Sequence, residues 1–432
     1  MSIRSRIISG TKWTTLSAIL SAIIAIAKIS ILTRFLDKKD FGLMAIVMFV
    51  IGFMELFNDL GTSTAILHKK EISRNEYSSI YWLNIITSII IYFSIVAVSP
   101  LISSFYKYPE IASILPLLAT TIIISSIGRQ FRIVETKNLL FKKISIVEIS
   151  ALIISLLTSV YLAMNSYGIY SLVYSTIAQT TFASIAFMIT GLKKNKPILR
   201  FRYSETKPFL RIGGFHVGGQ VTNYFNRDLD ILIIGHYFSA ELLGGYNLAK
   251  QLVFRPMQII NPILTKVASP ALARLQHDKN LLKESYLKLL TIVSSTNIVA
   301  YCILIIFASP IVSLLYGDHM LPIVTQVRIL SIYMIFRAIG NPIGSLVVAT
   351  GRTDLELIKN IVTLFTIPLS VFIGVSFGIT GATVALAFSS ILLFLPTWKL
   401  LVNKMIGASL QEYLSAIFIP KPSMIIKMFR NN

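Results

Sequence analysis

Apolar stretches of about 20 residues, the length that crosses a bilayer as a helix, recur along almost the whole chain. They predict twelve spans at roughly 13–36, 42–66, 79–103, 112–134, 147–165, 168–191, 209–236, 242–268, 287–315, 322–349, 357–376 and 380–401. The polar breaks at 165–168, 236–241 and 316–321 are too short to hold a domain. The longest cytoplasmic connection, 192–208, is basic and separates two sets of six spans. The predicted organisation is a six-helix N-terminal lobe at 1–191, a linker at 192–208, a six-helix C-terminal lobe at 209–401 and a cytoplasmic or interfacial tail at 402–432. The fold class is all-α and polytopic, in two pseudo-symmetric six-helix bundles.

Composition strengthens that reading. The chain is 54% hydrophobic and 14% charged, whereas soluble proteins average about 25% charged residues. A net charge of +21 in a soluble chain would suggest nucleic acid, but here its distribution follows the membrane. The odd-numbered connections, counting Arg34 at the end of the first span, hold only Arg34, Lys38, Lys39 and Lys107. By the positive-inside rule both termini are cytoplasmic, and no nucleic-acid partner is implied. The basic segment 193–211 suits contact with anionic membrane lipid. The single Cys302 excludes an internal disulfide and is expected to pack in its apolar run; the histidines lack metal-ligand spacing. No metal or cofactor is expected. Walker, nucleophile-elbow, Rossmann and H-E-x-x-H motifs are absent, and the chain reads as a non-enzyme.

The two halves share a weak repeat. Ser99–Tyr106 (SPLISSFY) matches Ser309–Tyr316 (SPIVSLLY), each closing a third helix. A fainter match pairs Asp40–Ala45 with Leu243–Leu248, where each second helix begins. A six-span repeat preserves orientation, so the halves should be related by an axis along the membrane normal, with substrate between them.

Charges inside the spans carry the functional signal. Lys28, Arg227, Lys250, Arg255, Lys266, Arg328 and Arg337 are intramembrane cations, against the acids Glu55, Asp59, Asp228 and Asp230. A charge in hydrocarbon costs about 3 kcal/mol or more and usually faces a bundle interior or a wet cavity. The cationic surplus points to an anionic ligand. Lys266 and Arg328 lie near span ends and can snorkel, which leaves Lys28, Arg227, Lys250, Arg255 and Arg337. The spacing of His216, Gln220, Asn223, Arg227 and Asp230 puts them on one helical stripe, either lining a hydrated cavity or joining helices. Arg227 could equally pair with Asp228 or Asp230. Gly213, Gly214, Gly218 and Gly219 suit close packing or bending of that helix. Asn247 and Gln258 flank the cations of span eight, whose Pro256 and Pro262 predict a kink. Asn341-Pro342 predicts a break in span ten. Glu55 and Asp59, spaced i, i+4, are either ion-coupling acids or counter-ions for Lys28; Asp228 and Asp230 are further coupling candidates.

The run Gly245–Pro256 (GYNLAKQLVFRP), then Asn261-Pro262 and Val267–Gln276 (VASPALARLQ), resembles the signature of the polysaccharide transporter family. The similarity is to its colanic acid and teichuronic acid exporter branch, Wzx-type flippases of the multidrug/oligosaccharidyl-lipid/polysaccharide superfamily. Gly10–Trp13 (GTKW), Leu32–Leu36 (LTRFL) and Asp40–Leu43 (DFGL) are similar to its first-helix start, first-helix exit and second-helix start. The resemblance implies a V-shaped architecture like those of MATE and MurJ transporters, working by alternating access. It implies movement of undecaprenyl-pyrophosphate-linked oligosaccharide across the bacterial inner membrane for O-antigen, capsule or exopolysaccharide synthesis, with a polymerase and a chain-length regulator as candidate partners. Lys28, Arg227, Lys250, Arg255 and Arg337 would then hold the pyrophosphate. His216, Gln220, Asn223, Tyr224, Asn247 and Gln258 would meet the sugar. Two alternatives remain open: a drug or cation antiporter of the same fold, which predicts an acid-rich cavity, and a membrane glycosyltransferase or polymerase, which predicts a long external loop.

Overall fold

The computed structural model describes residues 3–418 apart from Lys70 and Lys194; within that range several side chains, among them those of His216, Pro262 and Lys266, lie outside the description. The described residues form helices and turns, with no strand. In chain order the helices are α1 (Ile3–Leu32), α2 (Lys38–Asn58), α3 (Thr62–His68), α4 (Arg74–Tyr106), α5 (Glu110–Lys137), α6 (Phe141–Met164), α7 (Tyr170–Leu192), α8 (Tyr203–Tyr237) and α9 (Ala240–Arg274). They continue as α10 (Lys279–Ile306), α11 (Ala308–Tyr316), α12 (Val324–Ile339), α13 (Ile343–Thr350), α14 (Thr353–Gly374), α15 (Gly378–Thr397), α16 (Lys404–Ile406) and α17 (Leu410–Phe418).

Among the described residues, nine helical segments are long and apolar enough to cross a membrane. The difference from twelve has two sources. The segment Thr353–Ile406 counts once, although a short 3₁₀ turn at Val375–Phe377 separates α14 from α15. The helices α8 and α9 have the expected length but carry too many polar residues to qualify. The surface fits lipid: Phe93, Leu101, Phe365 and Phe388 are well exposed. The interior is instead rich in small hydroxylated residues, including Ser88, Ser126, Ser155, Ser159, Ser171 and Ser175. In lipid, helices associate through close packing and interhelical hydrogen bonds rather than through apolar burial. Cys302 is exposed on α10 rather than packed in the bundle.

Local chemistry sets the helix boundaries. Ser73 and Glu76 form a reciprocal capping box at the start of α4. The Asp278 carboxylate accepts the backbone N–H groups of Asn280 and Leu281 and starts α10. The predicted break at Asn341-Pro342 is present, as a turn between α12 and α13. In contrast, α9 keeps helical backbone through Pro256 and Pro262. The two repeated segments differ: Pro100 lies within the continuous α4, whereas its counterpart Pro310 follows a break at Phe307 that separates α10 from α11.

Two compact units are found, residues 1–244 and 245–432. The division lies early in α9 rather than in the basic connection, because α8 packs on α2, α3 and α4 of the first unit. In that unit α5 packs on α4 and α7, and α6 on α1 and α7. Glycines permit two close approaches there. A Cβ on Gly244 would lie 1.7 Å from the Lys38 carbonyl oxygen, and one on Gly42 would lie 1.8 Å from that of Ala240. Similarly, Gly61, in the left-handed region at φ 68°, packs on Gly213 of α8. A methyl added at Gly214, Gly218 or Gly219 would meet nothing within 4 Å, so of that run only Gly213 makes a tight crossing.

In the second unit α10 packs on α12 and α17, and α14 on α15. The amphipathic α17 returns against α10: Tyr413 and Ile417 join Leu282, Tyr286 and Leu290 in one core cluster, and Lys283 pairs with Glu412 at 2.8 Å. The part of the tail from 419 onward lies outside the described residues.

Candidate functional site

The first unit holds Lys28 inside its helix bundle. The Lys28 Nζ donates to Ser155 Oγ at 2.8 Å and Ser175 Oγ at 2.9 Å, joining α1 to α6 and α7. Both serines are fully buried. The acids do not serve as its counter-ions. Glu55 approaches Arg129 at 3.7 Å, whereas Asp59 Oδ1 accepts from the backbone N–H and hydroxyl of Ser63. That ties Asp59, at the end of α2, to the first turn of α3, so the i, i+4 acids engage different partners.

The stripe on α8 divides the same way. The Arg227 Nε donates to Asp228 Oδ2 at 2.6 Å, and its guanidinium lies 5.3 Å from the Tyr224 ring centroid. Tyr224 itself is an anchor. Its hydroxyl donates to the Phe49 carbonyl oxygen at 2.7 Å, and its ring packs on Phe49 and Phe53 of α2. The hydroxyl assigned to sugar contact is thus used to join helices, while the ring orients Arg227. Asn223 and Arg227 are exposed, Gln220 is half-buried and Asp230 is buried. His216, assigned to the same stripe, has its side chain outside the described residues.

In the second unit, Lys250 and Arg337 come together on Phe254. The Lys250 Nζ is 5.6 Å and the Arg337 Cζ 5.5 Å from the same ring centroid. Arg337 also donates to the Tyr333 hydroxyl one turn earlier on α12. Lys250 is only 5% exposed. Buried cations gain attraction from an aromatic face where water is excluded. Arg255 lies on another flank of α9, with its Nη1 3.4 Å from Gln258 Oε1. Asn247 is half-buried. A buried network fixes α9 behind these residues: Asn261 Nδ2 donates to the Ala338 carbonyl, Asn297 to Asn261 Oδ1, and Tyr301 to the Val253 carbonyl.

Sequence reasoning passed over three cations. Lys359 on α14 stands within electrostatic reach of Arg337; its place two residues into a predicted span hid it among the cytoplasmic charges. Arg129 and Arg132, close to the end of the predicted span 112–134, line a cavity of about 450 Å³ in the first unit. Arg132 donates twice to Glu148 Oε1, at 2.8 and 2.6 Å. The signal available was helical spacing: Ser125, Arg129 and Arg132 follow one stripe of α5.

Chemically, the second-unit cluster offers an ammonium and a guanidinium held by aromatic faces, suited to a compact polyanion. The comparisons agree with a polytopic carrier. The chain is 28% identical over 421 residues to the lipopolysaccharide biosynthesis protein WzxC of Escherichia coli K12, covering 97% of this chain and 86% of that protein. It is 29% identical over 427 residues to the teichuronic acid biosynthesis protein TuaB of Bacillus subtilis, covering 97% and 87%. Among solved structures, the lipid II flippase MurJ in an inward closed conformation superposes with a TM-score of 0.75 at 14% identity, over 98% of this chain and 93% of that one. The fold is therefore that of the MurJ-type transporters. With a family model matched over residues 31–325, this multi-span membrane protein belongs to the polysaccharide biosynthesis protein family.

Proposed function

We propose that the protein is a flippase that moves undecaprenyl-pyrophosphate-linked oligosaccharide across the bacterial inner membrane by alternating access, with both termini cytoplasmic. The observation that carries this reading is the Lys250–Phe254–Arg337 cluster, two cations on one aromatic ring beside a buried hydrogen-bond network. An ammonium and a guanidinium on one ring suit the oxygens of a pyrophosphate, which takes bidentate and point-charge contacts together. Lys359 adds charge to the same cluster. Arg255 beside Gln258 is a further headgroup contact of the same unit. In the first unit Arg227, steered by Tyr224 and paired with Asp228, is a separate candidate for an anionic group. Lys28 holds a supporting position, since its ammonium already binds two serines. Gln220, Asn223, Asn247 and Gln258 supply hydrogen-bonding groups for the glycan. The names of WzxC and TuaB, which tie those relatives to surface polysaccharide synthesis, support the same substrate class.

A drug or cation antiporter of this fold calls for unpaired acids. Asp59 and Asp228 each accept from a protein donor and Glu55 faces the Arg129 guanidinium, which disfavours it. The test is depletion of the protein in its host. Complete undecaprenyl-linked units should accumulate on the cytoplasmic side; incomplete units would indicate an enzyme instead.

A further inference from the structure

Within the first unit, α1, α2, α5, α6 and α7 line an open cavity of about 450 Å³ bordered by Glu55, Arg129, Arg132, Glu148, Gln179 and Thr180. Small-molecule sites typically measure about 300–1,000 Å³. The lining is polar but balanced in charge, two arginines against two glutamates. That distinguishes it from the cationic cluster on Phe254. We propose that this cavity is a saccharide subsite, which binds a sugar of the lipid-linked substrate inside the N-terminal unit; this inference rests on the flippase reading above.

The donor and acceptor set fits hydroxyl groups. Each sugar hydroxyl donates and accepts, so it needs both kinds of partner side by side. The Nε and Nη2 groups of Arg132 both donate to Glu148 Oε1, leaving Oε2 to accept from a ligand. Glu55 and Arg129 stand 3.7 Å apart, beyond hydrogen-bond distance. A hydroxyl placed between them would accept from the guanidinium and donate to the carboxylate. The half-buried Gln179 amide makes no hydrogen bond among the described residues, and supplies a donor and an acceptor of its own. A phosphate would find both arginines already neutralised, and a cation would find both acids already faced by guanidinium groups.

Position supports the assignment. Ser155 and Ser175, which hold Lys28, lie one helical turn from the lining residues Ala151 and Gln179. The Lys28 ammonium therefore ties α1, α6 and α7 together about one turn from the cavity lining. A sugar seated there would bind to a face whose helix spacing is fixed.

The test uses the full-length protein in lipid nanodiscs and two probes. One is the oligosaccharide released by mild acid from the host's lipid-linked precursors; the other is inorganic pyrophosphate. In Gln179→Ala and Glu148→Gln, saccharide affinity should fall about tenfold, the cost of one to two hydrogen bonds, while pyrophosphate affinity holds. In Lys250→Ala the pattern should reverse. Gln179→Ala breaks no ion pair, so it keeps the test valid if Glu148→Gln folds poorly. Unchanged saccharide affinity in Gln179→Ala, or pyrophosphate affinity falling with it, would overturn the subsite. Wild-type protein that binds pyrophosphate but no saccharide would also overturn it, and would leave the flippase reading standing.

Discussion

Lys250 and Arg337, on α9 and α12, meet on the face of one aromatic residue, with Nζ and Cζ 5.6 and 5.5 Å from the Phe254 centroid. Neither helix alone reveals the pair, because 87 positions separate the two residues in a 432-residue chain. If the pair receives a pyrophosphate, removing either charge should cost about 2 kcal/mol of binding, roughly 30-fold in affinity. Titration of Lys250→Ala, Arg337→Ala and Lys359→Ala with inorganic pyrophosphate measures this. The double variant Lys250→Ala/Arg337→Ala should lose less than the sum of the single losses, because the residues share one ligand and one ring.

Tyr224 joins α8 to α2 through the Phe49 carbonyl. Tyr224→Phe removes that bond and should cost about 1 kcal/mol of stability, with the ring still beneath Arg227. Tyr224→Ala should additionally lower pyrophosphate affinity by releasing Arg227. Thermal unfolding and pyrophosphate titration of the two variants separate the anchoring role from the orienting one.

Gly244 has no room for a side chain, whereas Gly218 stands beside open space. Gly244→Ala should therefore destabilise by about 1–3 kcal/mol or more, since the obstruction is backbone. Gly218→Ala should be neutral or slightly stabilising. Melting temperatures of the two purified variants provide the comparison.

The packing of α17 should depend on pH. The Lys283 ammonium and the Ser409 N–H hold the Glu412 carboxyl below its usual range. A depressed carboxylate contributes stability above its unfolded pKa and loses it as pH falls through the folded one. The melting temperature of Glu412→Gln should thus lie below that of the wild type at neutral pH, and the gap should close in acid. A gap that persisted once the carboxyl was protonated would contradict the pairing.

Much of this architecture was legible in the sequence because hydrocarbon imposes a simple rule on span length. The break at Asn341-Pro342 was readable for the same kind of reason, since proline removes a backbone donor. The polar helices α8 and α9 are recognisable through their length, not their hydropathy. Individual contacts were less legible. The i, i+4 spacing of Glu55 and Asp59 placed them on one face of α2, but could not show that Ser63 takes one and Arg129 approaches the other. Tyr224 reads equally well as a sugar platform until the Phe49 carbonyl is placed beside its hydroxyl. Lys359, Arg129 and Arg132 sit close enough to helix ends to pass for topology signals. Their inward direction is a tertiary property.

The central claim is translocation of a pyrophosphate-linked glycan. It is tested most directly in proteoliposomes containing the purified protein and undecaprenyl-pyrophosphate-oligosaccharide labelled on the sugar. Access of a membrane-impermeant reagent to the label reports which leaflet holds it. Wild-type protein should expose label initially confined to the inner leaflet, and Lys250→Ala/Arg337→Ala should slow that exposure to the rate of protein-free vesicles. Equal rates for wild type and protein-free vesicles, with the protein folded and inserted, would contradict the account.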